Sequence, residues 1–237
     1  MKYLKPTHEV DLRFPILGKW LYWGTIKHGV KLGIPPAIQS CVNAAGSIVL
    51  QSFMNSFGSH TVAAVSTAYR IDSIMLLPII NMGSAISTMV ARSNGAGDQE
   101  KTKNYLSTGI WLMACISLAL SILMPLTGGS LVALFGVGQE AADIGRTFFR
   151  SISLFYIFFG IFTALRGYVE GMGKLFFSSL IGILALCIRI CLSYLLAPVF
   201  GNMSIAYSEG LQWVFMLVLY FLFLFLCRKA RFSQKSI

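Results

Sequence analysis

Apolar residues in this chain gather in six runs, 32–57, 63–90, 105–126, 147–168, 175–200 and 203–227, separated by short polar turns. At about 1.5 Å per residue each run can cross the roughly 30 Å of a bilayer's hydrocarbon. Lipid offers the backbone no hydrogen-bond partner, so such runs are helices. The pattern therefore predicts an all-α, polytopic membrane protein with six transmembrane helices. Residues 1–28 read as a cytoplasmic or interfacial leader, 29–228 as the transmembrane lobe and 229–237 as a basic cytoplasmic tail. In the leader, Leu12, Phe14, Ile16, Leu17, Trp20, Tyr22 and Trp23 alternate with Lys19 and Lys27, as in a segment lying at the headgroup layer.

Charge then orients the helices. Turns 92–103 and 166–174, the tail 228–235 and the leader are basic, whereas 58–62 and 201–202 carry no Lys or Arg and 127–146 adds Glu140 and Asp143 to one Arg. The positive-inside rule makes the basic side, with both termini, cytoplasmic, in a multi-pass protein of the cell (plasma or inner) membrane. A composition 56% hydrophobic and 12% charged suits a lipid solvent. The net charge of +10 could belong to a nucleic-acid binder, but its Lys and Arg sit between apolar runs and form no patch. Membrane lipid is the expected partner, and nucleic acid is not. No cleavable signal peptide is read at the N-terminus.

Cofactor chemistry finds little support. The cysteines Cys41, Cys115, Cys187, Cys191 and Cys227 are odd in number and lie in or beside apolar runs, which argues against a disulfide framework. No His or acidic residue completes a ligand set beside Cys187 and Cys191, and His8, His28 and His60 lie outside the apolar cores, so no metal is expected. Gly95-Ala96-Gly97-Asp98 matches a signature of intramembrane aspartyl proteases. Those enzymes need two facing carboxylates within the membrane, and Asp98 sits in a wet turn, so no enzyme is expected.

Polar residues inside the runs are more informative, because each costs free energy in hydrocarbon unless it lines water or meets a partner. Gln39, Asn43, Ser47, Gln51 and Asn55 recur every fourth residue. Such a stripe drifts roughly 40° per step, so only Gln39, Asn43 and Ser47 share one face, lining a cavity or bonding a neighbouring helix. Pro78 predicts a kink that leaves a carbonyl near Ile74 available, with Asn81 beyond it. Arg70, Asp72, Arg189 and Glu209 fall at similar depth in the outer half of the bilayer, and Asp72 is expected to pair with Arg189. The four constitute a structural ion-pair cluster or a proton or cation relay.

Leu32-Gly33-Ile34-Pro35-Pro36-Ala37-Ile38-Gln39, Asn55-Ser56-Phe57-Gly58 with Val62-Ala63-Ala64, Tyr69-Arg70-Ile71-Asp72, Asn94-Gly95-Ala96-Gly97 and Leu165-Arg166-Gly167 occur in this order. Together they resemble the second half of multidrug and toxic compound extrusion (MATE) transporters. The resemblance implies one six-helix lobe of a two-lobe secondary antiporter. Such a transporter exports cationic or amphipathic small molecules in exchange for H+ or Na+, without a cofactor. It also implies a second six-helix lobe, as a separate chain or a homodimer, and a split, truncated or half-size gene product. Gln39, Asn43, Ser47, Asn81 and Tyr156 become candidate cavity-lining residues. Asn43 and Phe155 stand where one sodium-coupled branch carries a glutamate and an aspartate, so the resemblance does not extend to a sodium site of that type. In related branches the coupling aspartate lies in the first lobe. A flippase of the same fold acting on a lipid-linked substrate, and a non-transporting accessory or truncated lobe, remain alternatives.

Overall fold

The computed structural model describes residues 23–136 and 138–233, with side chains described except at Thr25, His28 and 228–233. Residues 1–22 of the leader and 234–237 of the tail lie outside the described residues. Among the described residues eight α-helices follow one another: α1 Trp23–Asn55, α2 Ser59–Met75, α3 Leu77–Gly95, α4 Gln99–Leu134, α5 Gln139–Ile152, α6 Tyr156–Gly171, α7 Leu175–Phe200 and α8 Ser204–Ser233. Helices α1 and α8 run through the boundaries expected at 28/29 and 228/229. At 33 and 30 residues they exceed the hydrocarbon thickness and carry helix into the basic ends.

Two kinds of interruption separate these helices, and the backbone distinguishes them. Gly58, Gly97, Gly136, Gly173 and Gly201 have φ between 54° and 89°. One stands in each turn where the chain reverses, a conformation that costs glycine little. The breaks between α2 and α3 and between α5 and α6 contain no such residue. Leu76 keeps a right-handed φ of −84°, and Ser153–Phe155 is a single 3-10 turn. Each of these pairs is therefore one bent span, so eight helices make six crossings.

Length and apolarity alone pass Gln99–Leu134, Gln139–Gly171 and Leu175–Cys227, with α2 plus α3, bent by 44°, as a fourth. The 53-residue stretch holds both α7 and α8, being far too long for one crossing. Helix α1 falls outside that count because its polar stripe lowers its hydropathy.

The expected kink lies just before Pro78, which occupies the first turn of α3. Proline has no N–H to offer the Ile74 carbonyl. The Leu76 N–H closes the end of α2 instead, reaching the Asp72 carbonyl at 2.9 Å and leaning on that of Ile74.

Small residues bring the spans together. A Cβ placed on Gly167 of α6 would come 2.5 Å from the Gly83 carbonyl oxygen of α3, and one on Gly171 would come 2.5 Å from that of Ser87. Gly160 of α6 meets Ser117 of α4, and Gly46 of α1 meets Leu186 of α7. Lipid tails are as apolar as leucine, so close backbone approach of this kind is what drives helix association in a membrane. The densest packing surrounds α6, where the Tyr156 ring stacks on Trp213 of α8 at 5.9 Å and Phe159 lies 4.9 Å from the same indole.

Candidate functional site: a charged cluster and two polar faces

One end of the bundle holds the α1–α2, α4–α5 and α7–α8 turns and few basic residues, and is called here the bare end. His60 lies 3.7 Å from Glu140, and Asn202 donates to Thr61 at 3.5 Å, so the three turns meet. Below them, within the spans, lies a cluster of charged and phenolic side chains. The Arg189 guanidinium of α7 stands 3.1 Å from the Glu209 carboxylate of α8 and donates at 2.8 Å to the Tyr69 hydroxyl of α2. The same guanidinium lies 5.8 Å from the centre of the Tyr69 ring. A cleft of ≈ 250 Å³, bordered by Ser47, Gln51, Phe53, Tyr69, Arg189 and Glu209, opens onto this group.

The expected pairing of Asp72 with Arg189 is corrected. Glu209 takes the guanidinium, while Asp72, only 4% exposed, accepts a hydrogen bond from the Tyr156 hydroxyl of α6. Helix rise fixes depth but not azimuth. Asp72 and Tyr69 lie one turn apart on α2, and Tyr69 is the one that reaches the guanidinium. Arg189 and Glu209 remain within Coulombic reach of Asp72. Arg70 does not join the cluster, because it is exposed on the opposite face of α2. Arg150 of α5, not singled out from the sequence, is likewise exposed. Both lie about 16 Å below the bare end by helical rise.

The candidate lining residues divide. Asn43 and Ser47 are exposed and, with Ser40 and Gln51, form one polar stripe along α1. Asn81 is exposed with Ser84 and Thr88 on a second stripe along α3. Gln39 instead is buried against α7, where a Cβ on Gly182 would meet its Nε2 at 1.9 Å. Tyr156 is fully buried between Asp72 and Trp213 and borders no opening. For both the reason is a glycine or an acid on a neighbouring span, which periodicity within one helix does not reveal. Phe155 packs its ring against Gly210 of α8, so the position noted for lacking a charge is filled by an apolar contact.

A second network near the basic end escaped the sequence reading. Arg166 donates to Glu170 at 2.7 Å along α6, Ser178 of α7 donates to the same carboxylate at 2.7 Å, and Ser178 also meets the Tyr220 hydroxyl of α8 at 2.9 Å. The i, i+4 spacing of Arg166 and Glu170 was its only local signal.

The two glycine-rich turns of this end share one geometry. The Asp98 N–H bonds the Ser93 carbonyl at 3.0 Å, and the Lys174 N–H bonds that of Val169 at 3.1 Å, each closing a helix around a left-handed glycine. Asp98 then caps α4, its carboxylate accepting the Lys101 N–H at 3.0 Å. Hydrogen bonds from Lys101, side chain first, hold the Asp98 carboxyl below the usual carboxylate range. The protease-like signature is thus a pair of helix caps. Among the described residues no group of three or more His, Cys, Asp or Glu side chains could hold a metal.

The MatE family profile matches residues 35–195. The chain belongs to the MatE family. The probable multidrug resistance protein YpnP of Bacillus subtilis is 26% identical over 207 residues, 87% of this chain and 46% of the relative. The probable multidrug resistance protein NorM of Thermotoga maritima is 24% identical over 152 residues, 64% of this chain and 33% of the relative. The chain spans less than half the length of these relatives. Among solved structures, the outward-facing conformation of a multidrug resistance MATE family transporter superposes with a TM-score of 0.78 at 22% identity, covering 84% of this chain and 45% of the other. A MOP superfamily transporter from Pyrococcus furiosus superposes equally, at 0.78 and 22%, with 84% and 44% covered. The MatE fold, as one six-span lobe of a polytopic transporter, is therefore the architecture of this chain.

Proposed function

We propose that this chain is one lobe of a secondary antiporter that exports cationic or amphipathic small molecules in exchange for protons or sodium ions. It would lie in the cell membrane with both termini cytoplasmic. The observation that carries this reading is the pair of exposed polar stripes, Ser40, Asn43, Ser47 and Gln51 on α1 and Asn81, Ser84 and Thr88 on α3. Facing lipid, each unpartnered amide would cost on the order of 1 kcal/mol or more, whereas facing a second lobe across water it would line a passage. The same polypeptide, another chain or a second copy would supply that second lobe. The stripes then become two walls of a central cavity, and rocking of one lobe against the other gives alternating access. The relatives named for multidrug resistance support this substrate class.

The test is reconstitution into liposomes at about one copy per vesicle, at many copies, and beside a matching first lobe, with gradient-driven efflux of a fluorescent cation as the readout. Efflux is expected only where a second lobe is present. Efflux from single-copy vesicles, or none beside a matching lobe, would overturn the proposal.

A further inference from the structure

We propose that Asp72 is a proton-binding site enclosed within this lobe, and that the ion it takes up is H+ and not Na+. The antiporter reading gives the site a use, but the site itself rests on charge and geometry within the six spans. Asp72 and Glu209 are 4% and 9% exposed, and the cluster around them holds a single guanidinium, Arg189. With both carboxylates ionised the cluster carries one uncompensated negative charge inside the membrane, the situation a protein interior tolerates least. Uptake of one proton converts a carboxylate to a carboxylic acid and takes the cluster from −1 to 0, with no other bond made or broken.

The geometry assigns that proton. Glu209 is held by the guanidinium at 3.1 Å, whereas Asp72 is hydrogen-bonded to a neutral phenol. Among the described residues the charges that reach Asp72 are those of Glu209 and Arg189. Tyr69 on its own helix is engaged with Arg189 and Glu209, and Tyr156 comes from α6. Helix α5 brings Arg146 and Arg150, both turned to its exposed face. Helices α1 and α4 have no Asp, Glu, His, Lys or Arg at this depth, and α3 has none before Arg92.

Sodium fits poorly. A hard cation wants several oxygen ligands, whereas Asp72 is bonded to a single phenol and the second carboxylate of the cluster, Glu209, is held by the Arg189 guanidinium. A proton needs only the carboxylate and a route. The ≈ 250 Å³ cleft brings water to Tyr69, Arg189 and Glu209, one helical turn from Asp72.

The experiment uses the full chain in lipid nanodiscs, without substrate or second lobe. Infrared difference spectra between acidic and alkaline buffer should contain the carbonyl stretch of a buried carboxylic acid, shifted by aspartate-specific carbon-13 labelling. Asp72→Asn should abolish that band and reduce proton release, read with a pH dye, by about one per chain. Glu209→Gln, which leaves Arg189 to balance an ionised Asp72, should keep the band aspartate-specific but make it appear only at lower pH. Tyr156→Phe should move the band's frequency, because the carboxyl loses its phenol. Replacing potassium with sodium should leave all spectra unchanged. A band that survives Asp72→Asn, fails to shift with labelled aspartate or is displaced by sodium would overturn the proposal. Should Asp72→Asn not fold, the isotope shift and Tyr156→Phe decide. Failed efflux with this band intact would count against the antiporter reading alone.

Discussion

Arg189 and Glu209 face each other at 3.1 Å across α7 and α8, and because the same guanidinium donates to Tyr69, the pair also fastens α2. Removing one member leaves the other charge within the membrane. Arg189→Gln or Glu209→Gln should each destabilise the fold by roughly 3 kcal/mol, the lower end of what breaking a buried ion pair costs, since the cleft admits water. The double variant should be little worse than either single one. Unfolding in a denaturing detergent measures this, and strictly additive losses would show that the two do not act as a pair.

Gly167 and Gly83 make the opposite kind of contact, backbone against backbone. Gly167→Ala should cost about 1–3 kcal/mol, because its Cβ would sit 2.5 Å from a carbonyl oxygen that cannot swing aside. Gly29→Ala in α1, with nothing within 4 Å, should be neutral or stabilising by up to roughly 1 kcal/mol, as expected of Ala over Gly in a helix. Equal effects at the two positions would mean that α3 and α6 do not approach so closely.

What the sequence made legible follows from which physical signals are local. Loop charge and run length identify six crossings, and Pro78 places the break in the second, since both depend on residues close together in the chain. The Tyr156–Asp72 contact joins residues 84 apart, and a tyrosine in an apolar run looks the same whether it borders water or a buried acid. Likewise, depth counted along helices put Asp72, Arg189 and Glu209 at one level without deciding which carboxylate meets the guanidinium. Arg166 and Glu170 read as turn charges that set orientation, and nothing local to them announced Ser178 or Tyr220.

At the basic end, Asp98 offers a pH test outside the membrane. Its carboxyl is held below its ordinary value in the folded chain by Lys101. The cap therefore contributes stability above the unfolded-state value, and loses it as pH falls through the lower folded-state value. Protection of the amides in the first turn of α4, taken relative to the intrinsic exchange rate at each pH, should fall on acidification over that window, and should be weak throughout in Asp98→Ala. A first turn that stays protected in the variant would remove the cap from the account.

Orientation can be tested by labelling in a cysteine-free background. Cysteines placed at Ser59, the first residue of α2, and Asn202, between α7 and α8, both at the bare end, should react from outside intact cells with a thiol reagent that cannot cross the membrane. One placed at Lys103 should react only after permeabilisation. Labelling of Lys103→Cys in intact cells would invert the topology.

The two polar stripes separate what stabilises the lobe from what it is for. In the lobe alone Asn43 and Asn81 are exposed at membrane depth, so Asn43→Leu and Asn81→Leu replace amides that hydrocarbon disfavours. Each should leave the isolated lobe as stable or more stable, by on the order of 1 kcal/mol. With a second lobe in place the same residues would face a watered passage, and the same substitutions should lower efflux of a fluorescent cation several-fold while the protein remains folded. Opposite signs for stability and transport are what a functional polar surface predicts. If the leucine variants lose stability instead, the amides are bonded within the lobe, and the walls of the passage must be sought on other helices.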